Sequence, residues 1–213
     1  MKESTSKERV LKQIRDALID KSDNPFQDID FESSVYNDFT ESLDITFAEA
    51  FNAVSGNFVY CDNESDFVSN FNQIAKNCNW SNLYCIDNDL NAFLKDAKPT
   101  ISSAEKDFLN QKVGITKCEF LIARLGTIMV SSKQMSGRRM NVYPEIHVVV
   151  AYASQLVDDL KQALKLIRLK YDNIPSMISL ITGPSRTADI EKTLVMGAHG
   201  PKELYVFLID DSI

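Results

Sequence analysis

The sequence predicts an α/β domain: a predominantly parallel sheet flanked by helices, preceded by an N-terminal helical extension. Three observations predict it. Short apolar runs of strand length alternate with segments whose apolar residues recur at helical spacing, the pattern a parallel sheet requires. One run, Glu145-Ile-His-Val-Val-Val-Ala151, is apolar on both faces, as a strand covered from both sides is. Finally, 213 residues with 44% hydrophobic content supply a core for one large domain and an extension.

Residues 5–20 place Val10, Leu11, Ile14, Ala17 and Leu18 on one face of an amphipathic helix. That face has two uses: packing on the main body, or contact with a second subunit in a homo-oligomer. Lys21 to Asn37 is polar and irregular, so residues 1–40 are set apart as helix and linker from a domain over 41–213. Within that domain, residues 44–54 read as a helix stopped by Gly56, and Asn57–Cys61 as a strand. A helix starting at Asn63-Glu-Ser65 turns Phe67, Val68, Phe71, Ile74 and Ala75 inward. Leu83–Ile86 is the next strand, and residues 88–96 a short helix. Phe51, Phe58, Phe67, Phe71 and Trp80 read as core.

After a connection over Pro99–Gln111, Thr116-Lys-Cys-Glu119 has the form of a capping box. It predicts a short helix through Phe120, Leu121 and Ile122 to Arg124, then a strand from Gly126 to Val130. Ser131 to Asn141 is a polar, basic loop holding Lys133, Arg138 and Arg139, ended by Pro144. The both-faces-apolar strand follows, with His147 at its beginning. Gln155–Lys170 has the core spacing of a second amphipathic helix, through Leu156, Leu160, Ala163, Leu164 and Ile167.

The last stretch is the most distinctive. Met177–Ile181 is a strand, broken by Gly183-Pro184. Ile190, Leu194 and Val195 then fall on one helical face; Gly197 stops that helix, and Gly200-Pro201 turns the chain into a final strand, Leu204–Ile209. The prediction is a strand–loop–helix–loop–strand unit. A helix start in that loop offers unpaired N–H groups and a positive dipole end to an anion. Ser185 and Thr187 add hydroxyls, and Arg186 adds a fork suited to an oxyanion. The same residues also suit a plain role: Ser185 or Thr187 as the cap, Asp189 and Glu191 complementing the positive end, Arg186 in solvent. In an open parallel sheet this loop would lie beyond the carboxyl ends of the strands, where ligands sit.

Ile181-Thr-Gly-Pro-Ser-Arg-Thr-Ala-Asp-Ile-Glu191, followed by Gly197-Ala-His-Gly-Pro201, resembles the signature of the LUD domain, the LutC/YkgG type of lactate-utilisation protein. The resemblance extends through Gly114-Ile-Thr116, Gly126-Thr127, Gly137-Arg138, Pro144 and His147, so it covers about residues 110–210. It implies the fold of the sugar-phosphate isomerase and CoA-transferase group (NagB/RpiA/CoA-transferase-like). It also implies work beside iron–sulfur and FAD-linked partners that oxidise L-lactate to pyruvate. Relatives tend to carry an acidic residue where this chain has Arg124, in Ala123-Arg-Leu-Gly-Thr127. A covalent carboxylate mechanism would need that acid. Arg124 either turns the local charge positive beside an anion or sits at a helix end near free carbonyls.

Loop chemistry and resemblance together mark His199 and His147 as candidate catalytic residues. The candidate ligand-binding set is Gly126, Thr127, Gly137, Arg138, Gly183, Ser185, Arg186, Thr187, Asp189 and Gly200. His199 is one of two histidines in the chain. His147 suits a satisfied structural role as well as proton transfer.

The exclusions are as informative. A formal net charge of −7 argues against nucleic acid as partner, since phosphate binding needs a basic face. No apolar run has the length of a membrane span, and no apolar core follows Met1–Glu8 to make a secretory signal, so a cytoplasmic location is expected. Cys61, Cys78, Cys85 and Cys118 are spaced for neither zinc nor an iron–sulfur cluster and read as reduced thiols. No Gly-x-Gly-x-x-Gly fingerprint follows any strand. No metal and no cofactor is therefore expected in this chain. It is expected to bind a small carboxylate or phosphate metabolite, either as a catalytic component of lactate oxidation or as a non-catalytic assembly or metabolite-sensing subunit.

Overall fold

The structure, a computed structural model, describes residues 5–19, 28, 30, 36–188 and 194–211. The chain divides into two units, Met1–Asp38 and Phe39–Ile213. The first holds α1 (Ser6–Ile19), which carries the apolar stripe expected of it. Its start is a capping box: Thr5 N–H donates to Glu8 Oε2 at 2.7 Å, and Glu8 N–H to Thr5 Oγ1 at 3.3 Å.

The second unit begins with α2 (Leu43–Ala53), β1 (Asn57–Cys61), α3 (Glu64–Asn77), β2 (Leu83–Tyr84), α4 (Asn88–Phe93) and β3 (Ile101–Ser102). Next come β4 (Val113–Lys117), β5 (Phe120–Ile122), β6 (Thr127–Ser131), β7 (Ile146–Tyr152) and β8 (Leu156–Val157). It ends with α5 (Leu160–Lys170), β9 (Ile178–Ile181), β10 (Arg186–Ala188), β11 (Leu194–Met196) and β12 (Glu203–Ile209).

Six strands make a wholly parallel sheet in the order β1-β12-β7-β4-β2-β3. Its centre is β7, flanked by β12 and β4, so His147 lies opposite Leu204 on one side and Gly114 on the other. One face is covered by α3 and α4, which bury Phe67, Phe71 and Leu90 against Val148, Val150 and Phe207. Alternation along β7 sends Val149 and Ala151 to the other face, where they meet Phe47 and Phe51 of α2.

That second face holds a second sheet, β8-β5-β6-β9, in which β6 runs antiparallel to both neighbours. Its inner side supplies Leu121, Ile128 and Val130 to the shared core. Its outer side packs Ile122 and Met129 on Ala163 and Ile167 of α5. The order of layers is thus helices, parallel sheet, mixed sheet with α2, then α5. The α/β class and the parallel central sheet are as expected; the mixed sheet was not.

Three local expectations are overturned. The capping box at Thr116–Glu119 starts no helix: β4 and β5 run through this stretch, and only Ala123–Leu125 forms a 3-10 turn. The reason is that both side chains have stronger partners. Thr116 Oγ1 lies 2.8 Å from His147 Nε2, and Glu119 turns into the core beneath α5. The helix expected from Gln155 begins at Leu160, because Leu156–Val157 pairs with β5 and Asp159 caps the helix by accepting from Gln162 N–H at 2.8 Å.

The third correction touches the site. Among the described residues no helix follows the Gly183-Pro184 break; Ile190, on which the expected helix partly rested, lies outside them. β10 and β11 form an antiparallel hairpin, with Arg186 opposite Met196 and Thr187 opposite Val195. Two β-branched residues facing each other favour this pairing. Ser185 N–H donates to Pro201 O at 2.8 Å, and Gly197 N–H to Ser185 O at 2.9 Å, so the Ser185 backbone is already paired with the segment leading into β12. Nor does this loop extend the parallel sheet. It follows β9 of the mixed sheet and meets the chain leading into β12, at the amino ends of the parallel strands.

Candidate functional site

A two-chambered cleft opens at those amino ends. The outer chamber, about 730 Å³, is lined by Arg138, Arg139, Tyr143, Glu145, His199 and Lys202 among others. The inner one, about 210 Å³, is lined by Asn141, Ile181, Thr182, Gly183, Ser185 and Leu204 among others. Val142, His199 and Gly200 form the wall common to both. Three segments build the cleft: the loop before β7, ended by Pro144, the end of β9 with the loop after it, and the turn between β11 and β12. The first and last of these are joined directly, where Lys202 N–H donates to Glu145 O at 2.7 Å.

Charge is segregated between the chambers. Arg138, Arg139 and Lys202 all belong to the outer one, with Glu145 the only acid on its lining among the described residues. Lys202 Nζ stands 3.8 Å from Glu145 Oε2, a loose pair. Arg139 is held by Glu105 at 2.9 Å and by its guanidinium lying 4.3 Å over the Phe108 ring. Arg138 donates to Ser176 Oγ at 2.6 Å, a neutral partner, and forms no ion pair among the described residues. A chain of net charge −7 therefore presents a cationic opening here. A second concavity of about 690 Å³, lined by Trp80, Asn82 and Asp107, has Asp107 as its only charged residue.

The cleft gathers five of the residues picked from sequence: Arg138, His199, Gly200, Gly183 and Ser185. Two others, together with Gly183 itself, serve the carboxyl end of α2. Gly126, at φ 55°, leaves no room for a Cβ beside Phe51 N, and Gly183, at φ 73°, none beside Val54 O. Arg186 Nη2 donates to that same Val54 carbonyl at 3.2 Å, so it caps a helix end instead of lining the cleft. Thr127 Oγ1 bonds Thr182 Oγ1 at 2.7 Å, tying β6 to the end of β9. Gly137, at φ 59°, makes the turn of the basic loop. Thr187 sits in β10, and Asp189 lies outside the described residues.

His147 is wholly buried and not part of the cleft lining. Burial pushes its pKa down to about 4, so the ring is neutral near pH 7. The two histidines are therefore different in kind: one sealed in the sheet, one exposed at the cleft wall. Arg124 lies 4.2 Å over the Phe39 ring. Sequence reasoning missed Asn141, Val142, Lys202 and Leu204. A signal existed for Asn141, a lone amide between apolar Met140 and Val142 just before Pro144.

A family model described as the LUD domain matches residues 45–209. This chain belongs to the LUD domain family. The match covers both walls of the cleft and every strand of both sheets. Lactate utilization protein C of Bacillus subtilis is 38% identical over 102 residues, 46% of this chain and 42% of that protein. Lactate utilization protein C of Shouchella clausii is 35% identical over 119 residues, 55% of this chain and 50% of that protein. The chain spans about half the length of the curated relatives it matches. Among solved structures, a DUF162 family protein from Deinococcus radiodurans shares the fold with a TM-score of 0.56 at 15% identity. The similarity covers 78% of this chain and 96% of that one. Among the described residues of this LUD domain, no three His, Cys, Asp or Glu side chains group as a metal site. No described helix is long and apolar enough to cross a membrane.

Proposed function

We propose that this LUD domain protein is a LutC-like component of L-lactate utilisation that binds a small carboxylate in the cleft at His199. It would act beside iron–sulfur and FAD-linked proteins that carry the electrons of lactate oxidation to pyruvate. The observation that carries this reading is the segregation of charge: among the described residues three cations and one acid line the opening, while the neighbouring chamber is largely apolar. A carboxylate at Arg138 gains a charge-assisted hydrogen bond to a guanidinium that, among the described residues, has no acidic partner. Relatives named for lactate utilisation give the ligand its class.

Whether the chain acts on that ligand or senses it turns on the available acid–base groups. His147 is sealed off, which leaves exposed His199 as the histidine at the cleft. That favours the second reading, a non-catalytic assembly or sensing subunit whose redox chemistry resides in its partners. The purified protein should accordingly be colourless and should not oxidise L-lactate alone; a flavin or cluster absorption band would contradict this.

The test of binding is thermal. At ligand tenfold above Kd, stabilisation by mass action is about 1.4 kcal/mol, and Tm should rise by about 3–5 °C. Arg138→Ala should weaken binding about tenfold and remove most of that rise. If L-lactate, pyruvate and inorganic phosphate all leave Tm unmoved, the cleft is not an anion site.

A further inference from the structure

Asn141 is 5% exposed and lines the inner chamber. Its amide orientation is not arbitrary. Nδ2 donates at 3.3 Å to Gly137 O, a carbonyl that only accepts, so the oxygen must occupy the other branch. That Oδ1 is buried and finds no donor among the described residues. A buried acceptor without a donor is costly, and native folds satisfy such atoms with water or ligand. Asn141 itself lines a chamber that shares Val142, His199 and Gly200 with the cationic one.

From this arrangement we infer that Asn141 reads the hydroxyl of a 2-hydroxy acid and so makes the cleft select the hydroxy acid over its 2-oxo counterpart. The inference deepens the proposed function and rests on it. The carboxylate belongs in the outer chamber, where all three cations are. The uncharged end of a short acid then enters the inner chamber, with its alkyl group against Ile181 and Leu204. A hydroxyl at carbon 2 donates to Asn141 Oδ1. A 2-oxo group presents an acceptor to an acceptor, and a plain alkyl acid presents nothing. Ser185 also borders the chamber, but a hydroxyl both donates and accepts, so it does not discriminate. Asn141 Oδ1 does, because it can only accept.

The test compares L-lactate, propionate and pyruvate by isothermal titration on the full chain. The expected order is lactate tightest, propionate weaker, pyruvate weakest, with lactate about tenfold over pyruvate. Asn141→Ala should bring lactate and pyruvate within about twofold of each other while Arg138→Ala weakens both alike. The ranking on the unaltered chain stands without any variant, should loss of the Gly137 contact impair folding. Equal affinity for lactate and pyruvate overturns the role of Asn141 and leaves the anion site standing. Binding of none of the three overturns both. Lactate preference that survives Asn141→Ala overturns the assignment to this residue.

Discussion

Glu119→Ala is expected to destabilise the fold by about 3–4 kcal/mol, the largest loss from any single side chain outside the apolar core. The carboxylate has no exposure, yet every direction around it is occupied. Ser131 Oγ donates to Oε1 at 2.6 Å, Tyr171 OH donates to Oε1 at 2.9 Å, and Lys170 Nζ donates to Oε2 at 2.7 Å. These donors come from β6, the end of α5 and the residue after it. One acid therefore ties α5 across the edge of the mixed sheet, while Gln155 Nε2 donates to the Glu119 backbone carbonyl at 3.2 Å. Burial, then the hydrogen bond to Glu119, push the Tyr171 hydroxyl up to about 12, so it remains a donor throughout the working range.

Truncation leaves Ser131, which is fully buried, without an acceptor; Lys170, about half exposed, recovers water. That is why the loss falls at the lower end for breaking a buried pair. Glu119→Gln keeps an acceptor for two of the donors and should lose about half as much. Urea denaturation measures both, with the midpoint of Glu119→Ala falling by about 1–2 M. A midpoint within 0.3 M of the parent, judged against an order of 1–3 kcal/mol per M for the slope, would show that α5 is held by Ala163 and Ile167 alone.

Glu119 also illustrates what was legible in the sequence and what was not. Local signals placed α2, α3, β1, β7 and β12 because each depends on its own periodicity, and burial then reinforces that periodicity. Thr116-x-x-Glu119 carries an equally clear local signal for a helix start, and it was overruled. Tertiary partners set those two side chains: His147 lies 31 positions from Thr116, and Lys170 lies 51 from Glu119. No short window contains such information. The loop at Ser185–Thr187 failed in the same way. Its β-branched Thr187 meets Val195 across a hairpin that helical spacing alone does not reveal.

The candidate site was half legible for a related reason. Arg138, Ser185 and His199 are polar residues in turns, and turns collect at openings. Arg186 looked identical by composition, yet the helix whose carbonyl it caps ends 132 positions earlier in the chain. Gly126 and Gly183 were marked for a ligand from the sequence, and what their missing side chains make room for within the chain is the end of α2. The residue that gives the inner chamber its chemistry, Asn141, is conspicuous only once its Oδ1 is seen to lack a donor.

Lowering the pH from 7.5 to 5 should remove about 2 kcal/mol of stability that traces to His147 alone. The ring is sealed between Gly114 and Leu204 in the middle of the parallel sheet, with Nε2 2.8 Å from Thr116 Oγ1. Its Nδ1 finds no partner among the described residues. An unpaired lone pair is a smaller defect than an unpaired N–H, which favours the tautomer that carries its proton on Nε2 and donates to Thr116. Protonation would add an N–H at Nδ1 with no acceptor, on top of the cost of burying a charge. Folded, the ring accepts a proton only at about pH 4; unfolded, it does so at the ordinary value of 6.5. Above 6.5 both states are neutral and the stability is fully present. Between 6.5 and 4 the unfolded chain holds a proton that the folded chain refuses, so stability falls as pH falls, and below 4 the decline from this group stops. The full span approaches about 3 kcal/mol. Carboxylates also titrate in acid, so the reading must be differential: urea midpoints of the parent and of His147→Gln at about pH 7.5, 6.5, 5.5 and 5. The gap between the two should close steadily toward acid, because the variant has no ring to protonate. Parallel curves would mean that the strand opens to water around His147, and that the histidine is not sealed in the sheet at all.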